Sequence, residues 1–146
     1  MQIQSGRHAG KSCESMMINH PDLVQWMIEK ADPSRTKDEF KRLVTIFDRR
    51  PIEETCHGCA NVATRASLYQ GGDDLMFWCD GCNEYGSGAN RGKLRIVTRY
   101  LEVVRMIDTF AAGNKKFKFQ MIRQLARGKG LAKRMTNDNL IDFFAA

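Results

Sequence analysis

The chain has 146 residues, 42% of them hydrophobic, with five cysteines and a formal net charge of +6. That length fits one domain or two small modules, with enough apolar residues for a core, though small cores often need a metal or a disulfide as well. No apolar run approaches a membrane span and "MQIQSGRHAGKS" holds no apolar signal core, which argues against membrane association and export and predicts an intracellular protein, cytoplasmic or nucleoid-associated, whose thiols stay reduced.

Residues 1–4 read as a short strand and "SGRHAGKS" as a turn punctuated by glycines. Ser12 fits a helix N-cap. Pro21 suits the first turn of the next helix, which should bury Leu23, Trp26 and either Met27 or Val24. Thr36-x-x-Glu39 reads as a capping box for a helix with Phe40, Leu43, Val44 and Phe47 on one face, closed at Pro51. The turn sets Arg7, His8 and Lys11 beside glycine amides and a helix start, which together attract a phosphate. The same residues also read as a purely structural turn with solvated charges. Residues 1–55 carry nine basic and nine acidic side chains, so this segment has no electrostatic case for binding nucleic acid alone. Cys13 reads as a small buried side chain.

Gly6, Arg7, His8, Gly10, Lys11 and Ser12, followed by Glu14, Pro21, Asp22 and Trp26, carry a family likeness. Over residues 3–30 the chain resembles the exonuclease-X-like C-terminal module. It departs at Ser5, where the family has an aromatic, and at Leu23, where it has a tyrosine. Such modules are appended to DNA-processing enzymes or stand alone in small proteins, often of viruses and mobile elements. The resemblance implies an accessory contact with nucleic acid or protein, not catalysis.

The middle of the chain holds two Cys-x-x-Cys pairs, "CHGC" and "CDGC", with Cys56, Cys59, Cys79 and Cys82 separated by residues 60–78. Each pair on a tight turn offers two sulfurs about 3.5–4 Å apart, one edge of a zinc tetrahedron, and the spacer suits paired zinc knuckles. Glycine before each second cysteine should let the backbone wrap the metal. One structural Zn²⁺ is the expected cofactor. Redox dithiols seldom come as matched pairs, and four thiolates leave no position for a catalytic water. His57 reads as an exposed residue or one standing behind the ligands. "SLYQGGDDLMFW" predicts a hairpin carrying the second pair, as in zinc ribbons, with one of Phe77 and Trp78 facing in and the other out. Residues 56–90 carry a net charge of −3, and a four-thiolate zinc cluster would make them still more negative.

The last third is basic, with 13 Lys/Arg and four Asp/Glu over residues 91–146. Residues 86–92 read as a loop. Val97, Leu101, Val104 and Ile107 then repeat at helical spacing, with Arg91, Arg95 and Arg99 on another face, although "LRIV" could instead be a strand completing the ribbon. "AAGN" ends the helix. A further helix bears Ile122, Leu125 and Ala126 and breaks at "RGKG", where two helical pieces around Gly128-Lys129-Gly130 suggest a phosphate-holding hairpin. Thr136 caps a last helix burying Leu140, Phe143 and Phe144. Lys115, Lys116, Lys118, Arg123, Arg127, Lys129, Lys133 and Arg134 face no acid between residues 109 and 137, which points to phosphate contact.

The expected fold is α+β and mostly helical: a strand-and-helix module over residues 1–52, a zinc-ribbon-like module over 53–90 and a basic helical segment over 91–146. The expected function is a non-enzymatic, zinc-containing accessory protein that binds nucleic acid, DNA more than RNA, within a processing machine. The alternative is a phage or mobile-element adaptor or inhibitor docking on a host nuclease, polymerase or other complex. A nuclease is the third option. It would need clustered carboxylates, and Asp73 and Asp74 on the hairpin turn are the nearest approach.

Overall fold

The computed structural model describes residues 1–4, 6–69, 72, 74–82 and 93–145, with the backbone alone for Tyr69 and residues 93–97. The fold is α+β. Three helices come first: α1 (Cys13–Asn19), α2 (Pro21–Glu29) and α3 (Arg35–Arg49). Three strands follow, β1 (Arg65–Tyr69), β2 (Met76–Trp78) and β3 (Lys93–Val97), then α4 (Tyr100–Phe110), α5 (Lys115–Gly128) and α6 (Asn137–Phe143). Among the described residues no helix is long and apolar enough to cross a membrane.

Capping residues set most helix starts. Ser12 accepts from the Ser15 amide, Asn114 from Phe117 and Thr136 from Asn139, each satisfying an amide that the helix leaves unpaired. Pro21 opens α2. At α3 the expected capping box is replaced. Ser34 is the cap and accepts from the Lys37 amide, so the helix starts one residue before Thr36. On α3 the predicted face of Phe40, Leu43, Val44 and Phe47 is buried. On α2, Val24 is buried while Trp26 is 51% exposed, contrary to the expected burial.

The sheet runs in the order β2-β1-β3, and both pairings are antiparallel. Arg65 pairs with Trp78 and Ala66 with Phe77; on the other edge Ala66 pairs with Val97. Residues 93–97 are thus a strand, and α4 begins only at Tyr100. Arg95 and Arg99 therefore share no helix face. Arg91 lies outside the described residues. β-Branched Ile96 and Val97 favour extended backbone, which outweighs the helical spacing.

One apolar core takes side chains from all three expected segments: Phe47 from the first, Leu68 and Phe77 from the second, Ile122 and Phe143 from the third. A second, smaller cluster gathers Trp78, Cys56 and Cys79. Adjacent strand residues point to opposite faces. Phe77 therefore joins the main core, while Trp78 turns into the cysteine cluster. Both rings are buried, so neither faces out.

The helix ends are tied together where the sequence suggests a phosphate hairpin. Lys129 is buried, and its ammonium donates to the Phe47 carbonyl at 2.8 Å, sealing the last turn of α3. Burial drops its pKa to about 8. Arg50 donates to the carbonyls of Lys129 and Phe143, with its guanidinium 4.3 Å from the Phe143 ring. Gly128-Lys129-Gly130 is thus a packing joint, not a phosphate hairpin.

Candidate metal centre

Each cysteine pair sits on a braced turn. The first follows an isolated bridge between Thr55 and Val62, inside which the Cys56 amide donates to the Asn61 carbonyl at 2.8 Å. The second leaves the end of β2, and the Cys82 amide donates to the Cys79 carbonyl at 3.2 Å. The antiparallel pairing of β1 with β2 carries the second turn back to the first. All four Sγ atoms lie within 4.8 Å of one another, and Cys59 and Cys79 are 3.6 Å apart. A tetrahedron with metal–sulfur bonds of about 2.3 Å has edges of about 3.8 Å, so the four sulfurs are gathered at the scale of one metal shell.

The residue after the first cysteine of each pair anchors its turn. His57 Nδ1 accepts from the Phe77 amide at 2.8 Å, while its own amide donates to the Phe77 carbonyl at 2.8 Å. The same Nδ1 lies 3.0 Å from the Phe77 carbonyl, so in either tautomer the ring is tied to the Phe77 backbone and His57 braces the first turn against β2. Asp80 accepts from the Thr64 hydroxyl and the Arg65 guanidinium, tying the second turn to the start of β1. Those two bonds hold the Asp80 carboxyl below its usual range. One faint signal of this bracing is visible in the sequence, a polar residue at the same place in both turns.

The thiols tune one another. For Cys56, burial works against ionisation, but the Cys79 and Gly58 amides outweigh it and lower the thiol to about 6. The Cys82 amide, then the Cys59 thiol, lower Cys79. Cys59 is raised: the Asn61 amide pulls it down, but its bond to Cys79 and burial override that pull. Cys82, bonded to Cys59 and then Cys79, is pushed up to about 12. Four adjacent thiolates repel one another, so a cation between them favours their joint ionisation.

The two glycines differ. A Cβ on Gly58 would lie 3.2 Å from both Cβ and Sγ of Cys82 and 3.4 Å from the Trp78 ring, whereas one on Gly81 would meet nothing within 4 Å. Only the first is dictated by space. Gly58→Ala should weaken metal affinity about tenfold through overpacking at the ligands, and Gly81→Ala should leave it within about twofold. Competition against a chromogenic chelator measures both.

No family model, curated protein or solved structure matches the chain.

The predicted basic residues separate into two groups. Lys118 is buried and donates to Asp108 at 2.6 Å and Gln25 at 2.7 Å, joining α5 to α4 and α2. Lys129 is buried against the end of α3. Both are structural, and neither can reach a phosphate. The sequence hides this because a lysine on a core face looks like any other in a basic run. Lys115, Lys116, Lys133, Arg134 and Arg99 are exposed, and Arg123 and Arg127 are half-buried. On α5, Lys116, Phe119, Gln120, Arg123 and Arg127 fall at i, i+3, i+4, i+7 and i+11, one outward stripe opposite buried Met121, Ile122 and Leu125.

At the N-terminal turn, Arg7 and Lys11 are exposed, with His8 half-buried. Lys11 Nζ donates to His8 Nδ1 at 3.1 Å, and the His8 and His20 rings lie 4.4 Å apart. Both imidazoles are held below their ordinary pKa, by desolvation first; for His8 the charges of Lys11 and Arg7 add, and for His20 its neighbour His8. Cys13 is fully buried and desolvation raises its thiol to about 11, as a packing residue should be. Asp74 accepts from Gln124 at 2.9 Å, while Asp73 lies outside the described residues.

Proposed function

We propose that this is a small zinc protein that binds nucleic acid, DNA in preference to RNA, as a non-enzymatic accessory of a processing machine. Zinc is the metal best suited to a closed shell of four thiolates, and such a shell leaves no position for a reacting water. It would act as a rivet for the sheet, in the manner of a zinc ribbon. The observation that carries nucleic-acid binding is the outward stripe of α5. Lys116, Arg123 and Arg127 share one face, and the run from 109 to 137 contains no acid. The N-terminal turn, with its likeness to the exonuclease-X-like module, would supply a second contact.

The test is salt titration of duplex binding. Replacing Lys116, Arg123 and Arg127 by Ala should weaken binding and lower the slope of log K against log salt by about 0.9 for each phosphate no longer neutralised, nearly three in all. Unchanged affinity and slope in the triple variant would refute the assignment.

One observation favours the second reading, an adaptor on a protein complex. Trp26 and Phe110 are each more than half exposed, at 51% and 56%. Tryptophan is the residue most enriched at the energetic centres of protein interfaces. If that reading holds, Trp26→Ala abolishes co-purification of a defined partner and leaves nucleic-acid affinity untouched.

A further inference from the structure

Two clefts meet at a single aromatic ring. The larger, about 870 Å³, lies between the N-terminal turn, the α1–α2 junction and the starts of α3 and α5. That volume falls among the roughly 300–1,000 Å³ of sites that enclose a small ligand. Arg7, Lys115 and Lys116 line it, against one carboxylate among the described residues, Asp22, which stands 3.9 Å from Lys115. Leu23 and Met27 add apolar surface. The smaller cleft, about 340 Å³, follows the outer face of α5 past Arg123 and Arg127, with Asp74 also in its lining. Phe119 lines both clefts.

The arginines of the smaller cleft have unused donors. The Nε atoms of Arg123 and Arg127 are shielded from solvent and have no hydrogen-bond partner among the described residues. Shielded donors without partners are costly. Both guanidiniums line the cleft, where an anion would meet their outer nitrogens, although Arg127 Nη2 already donates to the Lys133 carbonyl at 3.3 Å. The Arg123 guanidinium also lies 5.7 Å from the centre of the Phe119 ring. Lys116 to Arg127 spans about 16 Å of helix at 1.5 Å per residue, enough for several phosphates of an extended strand.

Cations alone would suit a duplex or a single strand equally. The ring between them and the cleft beside it do not. A ring offers stacking only to an unpaired base, and a cleft of about 870 Å³ has the volume for one nucleotide but not for the width of a duplex. We propose that α5 is a track for single-stranded nucleic acid: phosphates on Lys116, Arg123 and Arg127, one base stacked on Phe119, and the adjoining nucleotide in the larger cleft beneath Arg7. This rests on the nucleic-acid reading above and adds to it the strandedness and the path.

The experiment compares a fluorescent thymidine strand of about 12 nucleotides with a blunt duplex of the same length, by anisotropy on the zinc-loaded full chain. The strand should bind at least tenfold more tightly than the duplex. Phe119→Leu, which keeps apolar bulk, should cost the strand about tenfold, the worth of one base stack, and leave the duplex unchanged. Arg7→Gln with Lys116→Gln should weaken the strand more than the duplex, and unchanged thermal unfolding of each variant excludes misfolding as the cause. Equal affinity for strand and duplex, or indifference to Phe119→Leu, would overturn the track while leaving nucleic-acid binding intact. Failure of both probes to bind at low salt would overturn the parent reading as well.

Discussion

Removing the proposed metal at neutral pH should open one corner of the sheet and leave the helices folded. The reason is the division of the buried side chains into two clusters. The main core holds Met17, Phe40, Phe47, Ile122, Leu125 and their neighbours, and none of these belongs to the cysteine cluster. Among the described residues the smaller cluster has Trp78, Cys56 and Cys79 at its centre, with Cys59, Cys82 and Met76 packed alongside. Structural zinc contributes about 10–16 kcal/mol of apparent binding free energy in small peptides that have no core of their own. Here the helices have a core, so the loss should be local. The two tryptophans give a direct readout, because Trp78 is 1% exposed and Trp26 51%. In a Trp26→Phe background, chelation should shift the Trp78 emission to the red, while helical circular dichroism at 222 nm keeps most of its amplitude. Cys56→Ser should reproduce that spectrum without a chelator. Emission that stays blue after verified metal removal would show that the corner holds itself together. Loss of the helical signal as well would show that the two clusters fold as one.

The parts legible in the sequence are those written in local chemistry. Ser12, Pro21 and Thr136 announce helix starts because caps act within one turn of the chain. The apolar stripe of α3 and the paired cysteines are likewise visible, since periodicity and spacing are properties of the sequence itself. What is illegible depends on partners far along the chain. Lys118 meets Gln25 and Asp108, and Lys129 meets Phe47; both read as solvated cations until the fold brings those partners in. Strand β3 is ambiguous because "LRIV" satisfies a helix and a strand alike, and its pairing with β1 decides the matter. Hydrophobicity alone places Trp26 inside, but α2 turns Val24, one of the expected residues, and Gln25 inward and leaves Trp26 out. Of the metal centre, the ligands can be read from spacing alone. The braces at His57 and Asp80 leave only the faint mark of a polar residue at the same place in both turns, because each acts on a strand that the cysteines do not specify.

Gly128 gives the sharpest case of a residue whose role is set from a distance. It ends α5, and its carbonyl accepts from the Glu53 amide at 2.7 Å. A Cβ there would lie 2.6 Å from two carbons of the Phe77 ring, whereas its backbone φ is not in the left-handed region. The glycine is needed for close approach, not conformation. It lets the sheet come near enough to α5 for Phe77 to enter the main core. Gly128→Ala should therefore destabilise the protein by about 1–3 kcal/mol, the usual range for overpacking, seen as a lower urea midpoint at unchanged slope. Phe77→Ala should cost about 3–5 kcal/mol from removal of the ring and the cavity left behind. The double variant is decisive. With the ring gone, the new methyl has room, and alanine is worth up to about 1 kcal/mol over glycine in a helix. In the Phe77→Ala background, Gly128→Ala should thus change sign and stabilise. Additive destabilisation would mean that the two residues do not meet, and that α5 and the sheet are joined elsewhere.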